Sequence, residues 1–404
     1  MVKRILVVTH AGGSPAHGPN MRWYYLGEAL KSFGIEVEVV SSSSFHKYTA
    51  PPVVRQPVET QLVGGLKYHW IKTRPYRGRG FGQVLNQLDF VRGCYRAGKY
   101  LSERQPDVVV ASSPHPLMVF PAKALAKRAG ARFIYEVRDL WPEVLIELGG
   151  FKRWHPYMLA LKAAERYGVK QSDLVVSVKP GDGEYFKMRY GLPESSFAYV
   201  PNGFLPEDSQ ESAPEEIHEL RERYAFVIGY TGAISTYYGL ENLLELARLF
   251  RHRSDVGFII VGKGDGADTL RSEAEQSGLG NVHMVGAVPK AQVWPILKLF
   301  DACYVGLVDL GVHQYGISCN KIYEYMFAEK PIIGSYRAGY DPVARAGCGF
   351  VASPGDYAPL VRGIETLIEQ PDIAREMGER GREYFDTNHD FGVVADRLNR
   401  SVFG

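Results

Sequence analysis

The chain has 404 residues, too many for one core of the usual size, so two domains are expected. With 45% hydrophobic and 23% charged residues, no low-complexity tract and no apolar run of membrane-spanning length, it reads as a soluble globular protein and not as a disordered, fibrous or membrane-spanning one. The net charge of +2 hides an asymmetry: residues 1–205 carry 28 Lys/Arg against 16 Asp/Glu, and residues 206–404 carry 19 against 29.

The opening "MVKRILVVTHAGG" reads as a buried strand followed by a turn, without the length or cleavage site of an export signal. Further Val- and Ile-rich strands are expected at 36–42, 107–113, 132–138, 174–178 and 197–203. Amphipathic stretches at 20–34 and 117–130 separate some of them. Strands alternating with helices predict βαβ units around a parallel sheet. The densest positive charge lies in residues 67–104, where nine Lys/Arg interleave with aromatic residues. Such a segment fits an anionic membrane surface, a nucleic acid or a solvated face. The acidic stretch "LPEDSQESAPEEIHELRER" lacks apolar periodicity and sets the expected boundary, giving domains 1–205 and 206–384. A second series of strands follows at 226–232, 256–262, 282–288, 302–308, 330–335 and 348–354, so the second half also reads as doubly wound α/β. Ligands in such folds bind at the carboxyl ends of the strands, and two facing domains would offer the cleft between them.

"GISCNKIYEYMFAEKPIIG" (316–334) places Lys321 and Glu324 near the start of a helix, behind a Gly-containing loop. A solvated ion pair is one reading. An anion site, with helix amides and Lys321 facing a phosphate and Glu324 facing a hydroxyl, is the other. Gly12 and Gly13 make the turn after the first strand, where backbone amides could approach a phosphate. "VGKGDG" (261–266) contains GxGxG but lacks the acid that completes a dinucleotide fingerprint, and its Lys263 stands at a strand end. Arg138 and Asp139 follow the strand at 132–138, and read as a site or as an ion pair fixing a turn. His10, His17 and His115 follow strand ends, suited to hydrogen bonding with a substrate or to one general base. Four cysteines without CxxC pairing signal neither a disulfide framework nor zinc, and no DxD pair signals a divalent cation.

Taken in order, "THAGG", "YEVRDLWPE", "VPNGF", "GYTGAISTYYGLENLLE", "VGKGDG", "GAVP" and "NKIYEYMFAEKPII" resemble the retaining glycosyltransferases of family 4, in the branch that builds bacterial surface polysaccharides. The resemblance implies the GT-B fold: two Rossmann-like domains across a cleft, with the last helix (385–404) crossing back to the first. It implies a nucleotide-sugar donor, UDP-linked by preference, and a saccharide or polyprenyl-diphosphate-linked acceptor. It also implies a cytoplasmic location, peripheral membrane contact through residues 67–104, and no metal or other cofactor.

The donor would be held by Gly12, Gly13, Gly232, Lys263, Gly286, Val288, Ile317, Ser318, Asn320, Lys321 and Glu324. Lys321 would neutralise the departing diphosphate and Glu324 would accept from the ribose hydroxyls. Lys321, Arg138 and Asp139 would be catalytic, with His17, His115 and Arg138 at the acceptor. Three positions depart from the family pattern. Gly316 stands where many relatives have a glutamate, Ala233 and Tyr238 replace an arginine and a lysine, and Arg138 replaces a histidine. A nucleotide-sugar epimerase of the same architecture, or a non-catalytic two-lobed binding protein, would share the fold without the transfer.

Overall fold

The computed structural model describes residues 2–78, 80–205 and 211–404, which divide into two compact units. The first comprises residues 2–202 and 391–404, the second residues 203–390.

The first unit is built on one eight-stranded sheet: β1 (Lys3–Val8), β2 (Ile35–Ser42), β3 (Val58–Val63), β4 (Leu66–Ile71), β5 (Val108–Ser112), β6 (Arg132–Val137), β7 (Leu174–Ser177) and β8 (Phe197–Tyr199). Their order is β3-β4-β2-β1-β5-β6-β7-β8. All neighbours are parallel except β3 and β4, which pair antiparallel. The inner strands are mainly apolar, with Glu136 of β6 the buried exception, because helices cover both faces and both sides of each strand are buried. The β3–β4 hairpin turns at Gly64–Gly65, a two-residue glycine turn between paired strands that sequence patterning passes over. β4 brings Tyr68 and Trp70 fully into the core while Lys67 stays exposed and paired with Glu38, so the basic 67–104 segment begins as a largely buried strand. Arg79 of that segment lies outside the described residues.

The second unit holds β9 (Phe226–Thr231), β10 (Val256–Val261), β11 (Val282–Val285), β12 (Ala302–Gly306), β13 (Ile332–Ser335) and β14 (Gly349–Ala352), all parallel, in the order β11-β10-β9-β12-β13-β14. In each sheet the order reverses beside one strand. In the first unit the reversal lies between β1 and β5, and in the second between β9 and β12. Loops leave the sheet in opposite directions at such a point, and the gap they leave is where α/β folds take ligands.

The chain passes into the second unit after Asn202, not at 205, and returns at Phe391, not at 385. Helix Pro371–Asn388 belongs to the second unit, and only the separate helix Phe391–Phe403 joins the first. There Phe391 meets Tyr25 at 5.1 Å between ring centroids, and Val394, Leu398 and Val402 are buried beside Trp23 and Leu26. Each buried side chain contributes roughly 1.5–3 kcal/mol, enough to fix a helix of this length in place. The acidic stretch expected to be irregular contains helix Glu215–Arg223, anchored by buried Ile217, while residues 206–210 of that stretch and boundary lie outside the described residues.

Candidate functional site

In the second unit the reversal point is occupied by the helix Asn320–Phe327 and the loop after β9. Cys319 stands at the helix N-cap with no side-chain oxygen to offer; its thiol faces the Lys321 and Ile322 amides, and its carbonyl accepts from the Ile322 amide at 3.1 Å. The Thr231 amide donates to the hydroxyl of fully buried Tyr325 at 3.0 Å, which fixes the helix against the end of β9. Lys321 is 8% exposed. Its ammonium sits 3.6 Å from the centroid of the Tyr238 ring and 5.3 Å from that of Tyr230. Among the described residues no carboxylate lies within 4.0 Å of it, although Glu324 is one turn away on the same face. This nearly buried cation is compensated by the Tyr238 ring and hydroxyl and by the more distant Glu324 charge, none of them a close ion pair, and its environment favours an anion. Burial raises the Glu324 pKa, an effect that Lys321 and Lys290 oppose.

Tyr238, where the resemblance leads one to expect a lysine, is thus the ring that seats Lys321. Gly232 has φ +131°, and a Cβ there would meet the Lys321 Cε at 2.5 Å, so the lysine's path requires glycine. Gly316 has φ +106°, a backbone that a glutamate would occupy only with strain. The glycines of "VGKGDG" serve packing: a Cβ at Gly262 or Gly264 would strike the carbonyl oxygen of Gly232 or Ile234 at 1.8 Å. Lys263 and Gly286 are exposed beside this loop, Asn320 is exposed at the helix start and Ser318 is half-buried. Ile317 is part of the hydrophobic core and Val288 packs against it, so only their main chains can face a ligand.

In the first unit, His10 and His115 meet beyond the ends of β1 and β5, with ring centroids 4.7 Å apart. His10 is hydrogen-bonded to Asn86 and held near pKa 4, chiefly by burial. Burial, followed by the neighbouring His10, also drives His115 well down, and neither of its ring nitrogens has a hydrogen-bond partner. His17 stands apart, bonded to Ser14 and lying on the Trp70 ring at 4.8 Å. The three histidines therefore form a neutral buried pair and a separate packed residue, not one exposed rim. Both amides of the Gly12–Gly13 turn are consumed within the unit, by the Ser41 hydroxyl at 2.8 Å and the Asn20 carbonyl at 3.3 Å. A Cβ on Gly13 would strike the Pro19 carbonyl oxygen at 1.7 Å. The turn is a packing device as it stands, and does not aim amides at a phosphate. Arg138 is half-buried and Asp139 exposed after β6, and the two make no ion pair with each other. Instead the Arg138 amide donates to the Ser113 hydroxyl at 2.8 Å.

Two family models divide the chain between them. The one described as glycosyl transferases group 1 matches residues 214–384, and the one described as glycosyl transferase 4-like domain matches residues 17–203. The chain belongs to the glycosyltransferases. Its sequence is 23% identical to a probable glycosyltransferase, WbjE, of Pseudomonas aeruginosa over 379 residues, 91% of this chain and 90% of that one. Over 196 residues it is 27% identical to the O-antigen chain mannosyltransferase C of Escherichia coli, 46% of this chain and 49% of that one. Among solved structures it resembles sucrose-phosphate synthase from Thermosynechococcus elongatus, with a TM-score of 0.71 at 16% identity and 98% of each chain covered. HepE of Anabaena, solved in complex with UDP-glucose, gives a TM-score of 0.66 at 16% identity, again over 98% of each chain. The fold is GT-B.

One buried constellation in this glycosyltransferase gives no motif signal. Glu136 of β6 is fully buried, bonded to the Arg22 Nε at 3.0 Å, the Trp23 Nε1 at 2.8 Å and the Ser112 hydroxyl. The remaining Arg22 nitrogens reach the Val200 and Pro201 carbonyls and Asn202, the last residues before the second unit. Nothing in their spacing marks Arg22 and Glu136 as partners, since 114 positions separate them.

The two neutral histidines have a measurable consequence. Each has a folded-state pKa below its unfolded value, so the native state binds fewer protons below pH 6.5 and stability falls as pH drops toward 4. Each contributes a slope of about 1.4 kcal/mol per pH unit at most. Thermal unfolding between pH 7.5 and 5 is expected to show this loss, and His115→Phe should flatten it. An unchanged slope in that variant would rule out a buried neutral His115.

Proposed function

We propose that this glycosyltransferase moves a sugar from a UDP-sugar to a saccharide acceptor with retention of the anomeric configuration, in the assembly of a bacterial surface polysaccharide. The observation that carries the donor assignment is Lys321, a nearly buried ammonium with no carboxylate within 4.0 Å among the described residues, at a helix start that only a thiol caps. A diphosphate would supply the missing negative charge, and the helix start favours it further. Glu324, one turn on, would accept from ribose hydroxyls. HepE, a structural neighbour, was solved with UDP-glucose, and two relatives carry names tied to glycan transfer, which supports this reading.

In the reaction proposed, the bond from the anomeric carbon to the diphosphate oxygen breaks and the bond to the acceptor oxygen forms on the same face. The acceptor proton passes to the leaving phosphate oxygen. Lys321 and the amides at Asn320 and Lys321 stabilise charge growing on that oxygen, which is the main catalytic contribution. No divalent cation enters this scheme. Arg138 and Asp139 would orient the acceptor, since arginine stays protonated and cannot serve as base. His115, buried and neutral, would reach an acceptor only through a change in its packing. A polyprenyl-diphosphate-linked saccharide is the acceptor we favour. It would hold the enzyme at the inner face of the cytoplasmic membrane, and no described helix is long and apolar enough to cross one.

Thermal shift with UDP-, GDP- and ADP-sugars tests the donor. Saturation at a hundredfold excess over Kd stabilises by about 2.7 kcal/mol, and UDP with one UDP-sugar should raise the melting temperature while the other nucleotides do not. No response to any nucleotide would remove the assignment and favour a two-lobed binding protein. Consumption of donor without acceptor, giving an altered nucleotide sugar, would favour an epimerase.

A further inference from the structure

Helix Pro156–Gln171 of the first unit presents more positive charge than its surroundings neutralise. Lys162, Arg166 and Lys170 recur every four residues, all are exposed, and no described carboxylate pairs with any of them. Like charges at this spacing destabilise a helix, and the fold leaves that cost uncorrected. The helix's one acid, Glu165, is 1% exposed and faces inward to the Tyr185 and Tyr190 hydroxyls. Burial lifts its pKa to about 7, which weakens its negative charge further. The neighbouring Arg153 and Arg189 share the single carboxylate of Glu143, at 2.8 and 2.6 Å.

Large apolar side chains stand in solvent around the same stripe. Trp154 is 69% exposed, Leu159 52% and Phe151 40%, with the Lys152 ammonium 5.1 Å from the centroid of the Trp154 ring. Leu148, a few residues before Phe151, is exposed too. Single exposed apolar residues need no explanation, but a group of them beside uncompensated cations does. Nucleic acid would use the cations and leave Leu159 without a role. A bilayer surface uses both: aromatic and aliphatic groups enter the boundary between headgroups and chains, and cations meet anionic phosphates. The 67–104 segment suits this less well, because Lys67 is paired with Glu38 and Arg74 with Asp89.

We propose that the face running from Phe151 to Lys170 docks the enzyme on an anionic lipid bilayer, with Phe151, Trp154 and Leu159 seated at the headgroup boundary. The proposal stands on the first unit alone and does not depend on which sugar is moved.

Flotation of the full chain with phosphatidylglycerol–phosphatidylcholine vesicles, and with phosphatidylcholine alone, tests it. The enzyme is expected to float with the anionic vesicles and not the neutral ones. A Lys162→Gln/Arg166→Gln/Lys170→Gln variant should bind about a hundredfold more weakly, each lost cation accounting for about fivefold. Trp154→Ala should weaken binding severalfold, while Arg92→Glu/Arg96→Glu should change it little. UDP binding by the variants, read by thermal shift, shows that they are folded and keeps failure of the donor reading separate. Equal binding to both vesicle types, no flotation, unchanged binding of the triple variant, or preference for RNA over vesicles would each overturn the proposal.

Discussion

Replacing Lys321 with alanine is expected to lower turnover by a few hundredfold, with a much smaller change in the apparent affinity for acceptor. The loss corresponds to about 2.7–4 kcal/mol, the range for removing one preorganised donor at a developing oxyanion. The ammonium is nearly buried and already positioned by the Tyr238 ring at 3.6 Å, so it needs little reorganisation to meet charge on the leaving diphosphate. The same feature gives the prediction a second readout. An under-compensated buried cation weakens the resting fold, so Lys321→Met, which keeps the stem and its ring contacts, should leave the melting temperature unchanged or raise it. Activity and stability would then move in opposite directions, as they would not for a lysine that merely braces the helix. Gly232→Ala should reproduce much of the defect with the lysine itself kept. Its backbone at φ +131° disfavours any side chain, and the new Cβ at 2.5 Å would push the Lys321 Cε aside. A displacement of about 1 Å in a catalytic group can cost about a hundredfold. Steady-state kinetics of both variants, beside their melting curves, check the pair.

Glu136→Ala is expected to be the most destabilising single change in the first unit. It leaves the Arg22 guanidinium buried with its Val200 and Pro201 carbonyl contacts but without its counter-charge. Removing one partner of a buried ion pair costs about 3–5 kcal/mol, or roughly 10 °C at about 2–4 °C per kcal/mol. Exchange of both residues for a well-packed apolar pair should cost far less. The pH dependence follows from the direction of the shift. Burial pushes the Glu136 carboxyl up, but Arg22, the Ser112 hydroxyl and Arg138 outweigh it and hold the pKa below the usual carboxylate value. The stability it contributes is therefore complete above the unfolded value of 4.5 and is lost as pH falls through the folded one. Acid unfolding should steepen first between pH 6.5 and 4, from His10 and His115, and again at lower pH from Glu136. Glu136→Gln should remove only the second limb.

The parallel strands were legible because buried strands in α/β folds are short Val- and Ile-rich runs, and all six of the second unit lie where those runs predict. The β3–β4 hairpin escaped because its sequence is polar and aromatic, with Lys67 and His69 alternating against Tyr68 and Trp70. Helix Glu215–Arg223 was hidden by its charge, since one buried residue, Ile217, is a weak periodic signal. At the site, the Lys321–Glu324 pair on one helix face could be read from local spacing. The Tyr238 ring beneath Lys321 could not, because 83 positions separate them and only the sheet order brings β9 beside β12. How the Gly12–Gly13 turn spends its amides is not legible locally either. Its amide partners, Ser41 and Asn20, are supplied by tertiary packing and a neighbouring loop.

The most direct test of the donor site is isothermal titration of UDP into the wild-type protein, Lys321→Ala and Glu324→Ala, with uridine as the ligand lacking phosphates. UDP should bind the wild type. Lys321→Ala should lose most of the advantage of UDP over uridine, and Glu324→Ala should weaken both ligands alike, since its partner is the ribose. Equal UDP affinity in the wild type and Lys321→Ala, or no UDP binding by the wild type, would contradict the assignment of this helix start as the diphosphate site.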